Sequence, residues 1–139
     1  MPEPANSLHN SLLGFDFGSK KTGVATGQKI TCSATELTTV VHQHGQPDWQ
    51  QISALIKEWN PDALVVGIPY HMDGKSQPMT IRAEEFCRAL ENRFGLTVYR
   101  ADERLTSYAA EPESVGSRAG IDAIAARIIL QSWLYQETI

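Results

Sequence analysis

Hydrophobic and polar positions along the chain predict a β-rich first part. Apolar residues run through residues 12–17, resume at 23–26 after a short polar turn, and return in a β-rich stretch over 30–37. The links between these runs are only a few residues long, which suits antiparallel neighbours and leaves no room for a crossover helix. The pattern therefore predicts three antiparallel strands in a meander.

The remainder of the chain alternates between helical and strand patterns. Apolar residues recur at helical spacing from Trp49 to Trp59, after Asp48 in an N-cap position. Residues 63–68 are an unbroken apolar run, as in a strand buried on both faces. A long helical pattern follows over 77–94 and ends at Gly95, with an inner side predicted to hold Ile81, Phe86 and Leu90.

The last third of the chain completes the predicted sheet. Residues 96–100 form the next predicted strand, 106–110 a short helix and 121–134 a strongly apolar helix. Because a helix separates consecutive strands here, these strands are expected to run parallel. The predicted fold class is α/β, a mixed five-stranded sheet made of an antiparallel three-strand meander plus two parallel strands, flanked by helices. Residues 1–10 are expected to be a flexible leader and 11–139 a single domain.

Composition narrows the classes of protein that the chain can represent. The chain has 139 residues, a formal net charge of −4 and a pI near 5.5, so no global basic field marks a nucleic-acid partner. No apolar stretch approaches the roughly 20 residues that span a bilayer, which predicts no membrane partner and favours the cytoplasm. Cys32 and Cys87 lack the spacing of a zinc or redox motif and are expected to be reduced packing residues.

Carboxylates stand where the predicted sheet would bring them together. Asp16 lies in an apolar strand, Asp102 and Glu103 follow the last strand, and Asp122 lies in the first turn of the last helix. Ligands of open α/β sheets gather beyond the carboxyl ends of the parallel strands, so three or four carboxylates would share one site. Their repulsion would be relieved by protonation or by a hard divalent cation, Mg²⁺ or Mn²⁺. Two such ions suit phosphodiester hydrolysis.

Each carboxylate also has a purely structural alternative. Asp16 could belong to a turn, Asp102 or Glu103 could cap the helical segment that starts near Leu105, and Asp122 could be a first-turn charge favoured by the helix dipole. Basic residues around the predicted site could contact phosphates or could be ordinary solvated charges. These residues are Lys20, Lys21, Lys75, Arg82 and Arg104.

Four motifs occur in a recognisable order after residue 10. They are Gly14-Phe15-Asp16-Phe17-Gly18-Ser19-Lys20 with Gly23-Val24-Ala25, Val66-Gly67-Ile68-Pro69 with Met72-Asp73-Gly74, Asp102-Glu103-Arg104-Leu105-Thr106-Ser107, and Ile121-Asp122-Ala123. Together they resemble the bacterial pre-16S rRNA nucleases, also described as Holliday-junction-resolvase-like proteins. The segment between Ser107 and Asp122 is shorter than is usual in that family.

The resemblance implies a ribonuclease H-like fold and a cytoplasmic hydrolase that matures the 5′ end of 16S rRNA in ribosome biogenesis. It implies catalytic roles for Asp16, Glu103 and Asp122, with Asp102 as a neighbouring metal ligand and magnesium or manganese as the cofactor. Two alternatives stay open: resolution of four-way DNA junctions, and a binding module for RNA or protein with little catalysis. The oligomeric state is expected to be a monomer or a weak homodimer.

Overall fold

The computed structural model describes residues 9–105 and 120–137. Within them the chain forms β1 (Ser11–Phe17), β2 (Lys21–Gln28), β3 (Ser33–Val41), α1 (Trp49–Trp59), β4 (Ala63–Ile68), α2 (Pro78–Phe94), β5 (Thr97–Asp102), a short 3₁₀ helix (Glu103–Leu105) and α3 (Ile121–Glu137). The leader prediction for residues 1–8 and the short helix predicted at 106–110 lie outside the described residues.

The strands form one mixed sheet in the order β3-β2-β1-β4-β5. β1 pairs antiparallel with β2 and parallel with β4, β2 pairs antiparallel with β3, and β4 pairs parallel with β5. The predicted meander and the two added parallel strands are therefore confirmed. Because β1 is central, the carboxyl ends of β1, β4 and β5 lie along the same edge of the sheet.

Helices cover both faces of the sheet. On one face, α1 and α2 pack against alternate side chains of the strands, including Phe15, Phe17 and Val66. On the other face, α3 packs against the intervening side chains, including Leu12 and Val65. Eight residues of α3 are buried, because this helix packs mainly on the antiparallel strands β1, β2 and β3: Ala123, Ile124, Ala126, Ile128, Ile129, Leu130, Trp133 and Leu134.

Two details of the sequence prediction are wrong. Ile30 lies in the turn before β3, where it is 81% exposed, because residues 29–32 close on themselves through a hydrogen bond from the Cys32 amide to the Lys29 carbonyl. Ile81 is 57% exposed. The inner side of α2 is formed by Ala83, Phe86, Cys87 and Leu90. Ile81 precedes Ala83 by two residues, or about 200° around the helix, and so faces outward.

Both cysteines are free thiols, with Cys87 buried in the core and Cys32 partly buried. None of the described helices has both the length and the apolar character that a bilayer crossing requires.

Candidate active site

Asp16 occupies the centre of the candidate site, near the carboxyl end of the central strand. Side chains alternate along β1, so Leu12 and Asp16 lie on the face covered by α3, whereas Phe15 and Phe17 lie on the opposite face. Across the sheet, Asp16 is paired with Gly23 of β2. On its other side, Phe15 pairs with Val66, which places the next residue of β4, Gly67, beside Asp16.

Gly23 allows the start of α3 to approach the sheet directly beside Asp16. A Cβ at Gly23 would lie 1.8 Å from the backbone oxygen of Asp122 and 2.8 Å from the amide nitrogen of Ala123. No other residue type fits such a contact without moving the helix. The absence of a side chain at Gly23 therefore lets α3 bring Asp122 to the strand pair that carries Asp16.

Gly67 makes the corresponding space for Glu103. A Cβ at Gly67 would lie 3.1 Å from both Cγ and Oε2 of Glu103, so the Glu103 carboxylate rests over the backbone of β4. The alternation along β5 explains this direction, because Tyr99 and Ala101 pack on the α3 face and Glu103 continues the same series. The two glycines on either side of Asp16 thus leave room for the Asp122 backbone at Gly23 and for the Glu103 side chain at Gly67.

The charges of Glu103 and Asp122 act on the Asp16 carboxyl group. The pKa of Asp16 is raised from 3.8 to about 7. Burial is the largest cause, and the negative charges of Glu103 and Asp122 contribute the rest. A carboxylate in this setting is costly to ionise, because desolvation and like charges both disfavour the charged form. Perturbed acids of this kind are common at functional sites.

Asp102 points to the other face of the sheet and has a different set of contacts. Its carboxylate accepts hydrogen bonds from Nε and Nη2 of Arg104, the latter at 2.6 Å, and from the Arg104 backbone amide at 3.0 Å. These bonds hold the pKa of Asp102 below its usual value. Asp102 thus caps the short 3₁₀ helix Glu103–Leu105, and the structure does not bring it together with the other three acids. The helical segment that it was predicted to cap, from about Leu105 onward, lies largely outside the described residues.

Arg104 connects this cap to the loop that follows β4. Its guanidinium lies over the ring of Tyr70, with 5.4 Å to the centroid, and Nη1 is 3.4 Å from the position of a Cβ on Gly74. Gly74 has a φ of +88°, which favours glycine. Arg104 therefore connects the loop after β4 to Asp102 at the end of β5.

The other predicted phosphate contacts lie around the same edge. Lys20 is exposed in the turn between β1 and β2, Lys21 is exposed at the start of β2, and Lys75 is exposed in the loop after β4. Arg82 of α2 is half-buried, and its guanidinium lies 5.5 Å from the centroid of the Phe17 ring. These four cations lie near the ends of β1, β2 and β4, and none of them is among the groups that shift the pKa of Asp16.

The donor chemistry of the three acids fits a hard divalent cation. Carboxylate oxygens are the ligands that Mg²⁺ and Mn²⁺ prefer, and a cation would relieve the repulsion acting on Asp16. Among the described residues, however, no three His, Cys, Asp or Glu side chains converge closely enough to form a ready metal cage. The charges of Glu103 and Asp122 are thus close enough to act on Asp16, but the three carboxylates do not converge on one point as the ligands of a bound ion would.

Sequence reasoning missed the roles of Gly23 and Gly67. Both glycines occur in the motifs that carry the family resemblance, and that occurrence was the available signal. Their function depends on which distant side chain lies above each of them, which the local pattern does not reveal.

Known proteins resemble this chain over most of its length. The family model RuvX: Holliday junction resolvase matches residues 10–136. A Pseudomonas fluorescens (strain Pf0-1) protein named "Putative pre-16S rRNA nuclease" is 51% identical over 135 residues, covering 91% of this chain and 93% of that protein. A protein of the same name from Pseudomonas savastanoi pv. phaseolicola is 52% identical over 131 residues, covering 88% and 90%.

Two solved structures share the fold. The Thermus thermophilus RuvC in complex with Holliday junction substrate has a TM-score of 0.56 and 17% identity, covering 94% of this chain and 96% of that chain. The Fowlpox virus resolvase in complex with Holliday junction DNA has a TM-score of 0.57 and 11% identity, covering 93% and 99%. At these identities the likeness concerns the fold alone, and it confirms the ribonuclease H-like architecture.

The match to the family model spans nearly the whole chain, and the relatives are about half identical. The chain therefore belongs to the RuvX Holliday-junction-resolvase-like family.

Proposed function

We propose that this protein is a metal-dependent endonuclease that processes the 5′ end of pre-16S rRNA in the cytoplasm. The observation that carries the proposal is the position of Glu103 over Gly67 and of the start of α3 against Gly23, on either side of the buried Asp16, whose pKa is raised by burial and by the charges of Glu103 and Asp122. The substrate is suggested by the names of relatives that are about half identical. The catalytic reaction is hydrolysis of a phosphodiester bond, which requires stabilisation of negative charge on the phosphate.

Asp16, Glu103 and Asp122 would hold the Mg²⁺ or Mn²⁺ ions. Such ions supply a Lewis acid for the phosphate oxygens and lower the pKa of water. The chain itself supplies a rigid strand for Asp16 and two glycines that leave room for the other acids. We assign Asp102 to positioning, because its contacts with Arg104 fix the turn that carries Glu103.

Exposed lysines would guide the RNA backbone to this edge. Lys20, Lys21 and Lys75 are solvent-exposed and lie beyond the strand ends, where a phosphate can reach them. Arg104 is already bonded to Asp102, so its contribution to phosphate binding is secondary to its contacts within the protein.

The test is cleavage of a purified 16S precursor fragment by the wild-type protein with magnesium or manganese. Asp16→Asn removes the charge but keeps the shape, and we expect it to abolish cleavage while the matched variant Glu58→Gln, on the exposed side of α1, cleaves normally. Equal cleavage by wild type and Asp16→Asn would refute the proposed active site.

Junction resolution is a second candidate, favoured by the description of the matching family model. The same acids could cut DNA, because the chemistry acts on the phosphate and not on the sugar. Symmetric nicking of a synthetic four-way junction, with no cleavage of the RNA precursor, would establish this function in place of the first.

A binding module with little catalysis is the third candidate, and the lack of a ready metal cage among residues 9–105 and 120–137 favours it. Calorimetric titration with Mn²⁺ separates it from the two enzymes. Absence of binding, even with RNA present, would favour the module.

A further inference from the structure

A pocket of about 110 Å³ opens on the face of the sheet opposite to the Asp16 carboxylate. Three aromatic residues lie at its base: Phe17 and Phe86 are buried with their ring centroids 4.8 Å apart, and the partly buried Trp49 stacks on Phe86 at 5.6 Å and also contacts Arg93 at 4.3 Å. One water takes up roughly 10–15 Å³ on this scale, so the pocket holds about eight waters or one small planar ring system. Its size and its floor therefore suit a single aromatic ligand.

The mouth of this pocket is polar and carries both hydrogen-bond donors and acceptors. Arg82 lines the mouth, and its planar guanidinium is held over the Phe17 ring by a cation–π contact. Gln46 and Glu85 also line it, and both are exposed. An amide, a carboxylate and a guanidinium together can meet the mixed donors and acceptors on the edge of a nucleobase.

A second, cationic cavity adjoins the aromatic pocket. This cavity, of about 340 Å³, is lined by Lys20 and Lys21 among others, and it shares Gly45 with the first pocket. Gly45 lies in a tight turn closed by reciprocal backbone hydrogen bonds between Gln43 and Gln46. The wall between the two cavities is thus one fixed turn, with exposed ammonium groups on one side and aromatic rings on the other.

Both cavities are close to the candidate active site along the chain. Phe17 directly follows Asp16 and ends β1, Lys20 lies in the turn after this strand, and Lys21 is the first residue of β2. A strand of nucleic acid that passes over this turn would have its phosphates near the lysines on leaving the acidic face. The next nucleotide of that strand would then reach the opposite face, where the aromatic pocket lies.

We infer that the pocket between Phe17, Trp49 and Arg82 binds one unpaired nucleobase of the substrate strand. This inference rests on the proposed nuclease function. Unpaired bases in RNA are recognised by stacking on aromatic rings or arginine planes and by hydrogen bonds to their edges. The pocket offers the partly exposed Trp49 ring, the Arg82 guanidinium and the exposed polar groups of Gln46 and Glu85 for these contacts. A base inside a duplex is stacked on its neighbours and cannot enter, so the protein would prefer a single-stranded segment.

The test measures the part of RNA affinity that depends on bases. Two fluorescein-labelled probes are compared by anisotropy in buffer with EDTA, which keeps cleavage out of the measurement: a ten-residue oligouridine and a ribose-phosphate ten-mer without bases. We expect the wild-type protein to bind oligouridine roughly tenfold more tightly, as one stacked base contributes a factor of that order.

Ala89→Leu is designed to fill the pocket without altering its charges. Ala89 lines the pocket on α2, a half-buried helical position that accepts leucine readily. The matched control is Ala54→Leu, which adds the same group at an exposed position of α1. We expect the ratio of the two dissociation constants to fall to about one in Ala89→Leu and to keep its wild-type value in Ala54→Leu.

The phosphate track is tested separately with the variant Lys20→Gln/Lys21→Gln. Loss of two phosphate contacts should lower the slope of affinity against salt by about 1.4 for a single strand, while the ratio between the two probes stays at its wild-type value. A change in that ratio would mean that the lysines and the aromatic pocket do not act on separate parts of the nucleotide.

The inference is overturned if wild type binds both probes equally, if it binds neither, or if Ala89→Leu retains the wild-type ratio. Circular dichroism confirms folding, and Ala89→Met replaces Ala89→Leu if leucine disturbs the helix. Because no probe is cut, these outcomes do not depend on catalysis. The proposed function fails separately, through equal cleavage by wild type and Asp16→Asn.

Discussion

Replacing Asp16 with asparagine should stabilise the protein in metal-free buffer at neutral and alkaline pH. Asn keeps the shape of the side chain but removes a charge that burial and two neighbouring acids make costly. The pKa of Asp16 in the folded state is raised above its unfolded value. The stability that comes from keeping this carboxyl group protonated is therefore fully present below about pH 3.8 and is lost as the pH rises through about 7. The cost of ionisation is therefore largest above pH 7.

The size of the effect follows from the two pKa values. A rise from 3.8 to about 7 corresponds to about 4 kcal/mol at roughly 1.4 kcal/mol per pH unit. Rotation of the side chain toward water lowers the cost, so we expect Asp16→Asn to gain about 2–4 kcal/mol at pH 8. For a chain of this size that is roughly 6–12 °C in Tm.

The assay is thermal unfolding of both proteins from pH 4 to pH 9 in buffer with EDTA, followed by circular dichroism. The difference in Tm should widen between about pH 4 and pH 7 and then stay constant. Glu58→Gln, on the exposed side of α1, serves as the matched control and should show no such dependence.

A Tm difference that is absent at pH 8, or that does not vary with pH, would refute the reasoning. Either result would mean that Asp16 is hydrated and does not experience the charges of Glu103 and Asp122. The location of the acids in the fold would stand, but the electrostatic argument for the site would not.

Three other predictions concern the groups around Asp16. Gly23→Ala should lower stability by about 3 kcal/mol or more and abolish cleavage, because its Cβ would meet the Asp122 backbone; an unchanged Tm in denaturation would contradict it. Arg104→Lys keeps the charge but loses the bidentate contact with Asp102, so kcat should fall more than the affinity for RNA. If the affinity falls as much as kcat and depends less steeply on salt concentration, Arg104 instead contacts a phosphate. Saturating Mn²⁺ should raise the Tm of wild type and not of Asp16→Asn, as measured with EDTA-treated protein; equal shifts would place the ion elsewhere.

Much of the site was predictable because its acids mark strand ends. Asp16 interrupts an apolar strand, and that mismatch between residue and environment is visible in the sequence. The separation of Glu103 from Asp102 was not predictable. The last strand was expected to end at residue 100, whereas β5 continues to Asp102, and this extension fixes which of the two adjacent acids faces α3.

The sequence by itself determined the order of the elements and the form of the sheet. Apolar periodicity identifies strands and helices locally, and the length of each link decides whether neighbours are antiparallel or joined by a crossover. The motifs with their order determined the family. These properties depend on residues that are close in the chain.

Only the tertiary structure decided how the site works as a unit. The pKa of Asp16 depends on its burial under α3 and on acids about ninety and more positions away, and Gly23 and Gly67 matter only because particular distant groups lie above them. The aromatic pocket likewise combines residues from β1, α1 and α2. Electrostatic and steric effects act through space, so they become visible only when packing has set the distances.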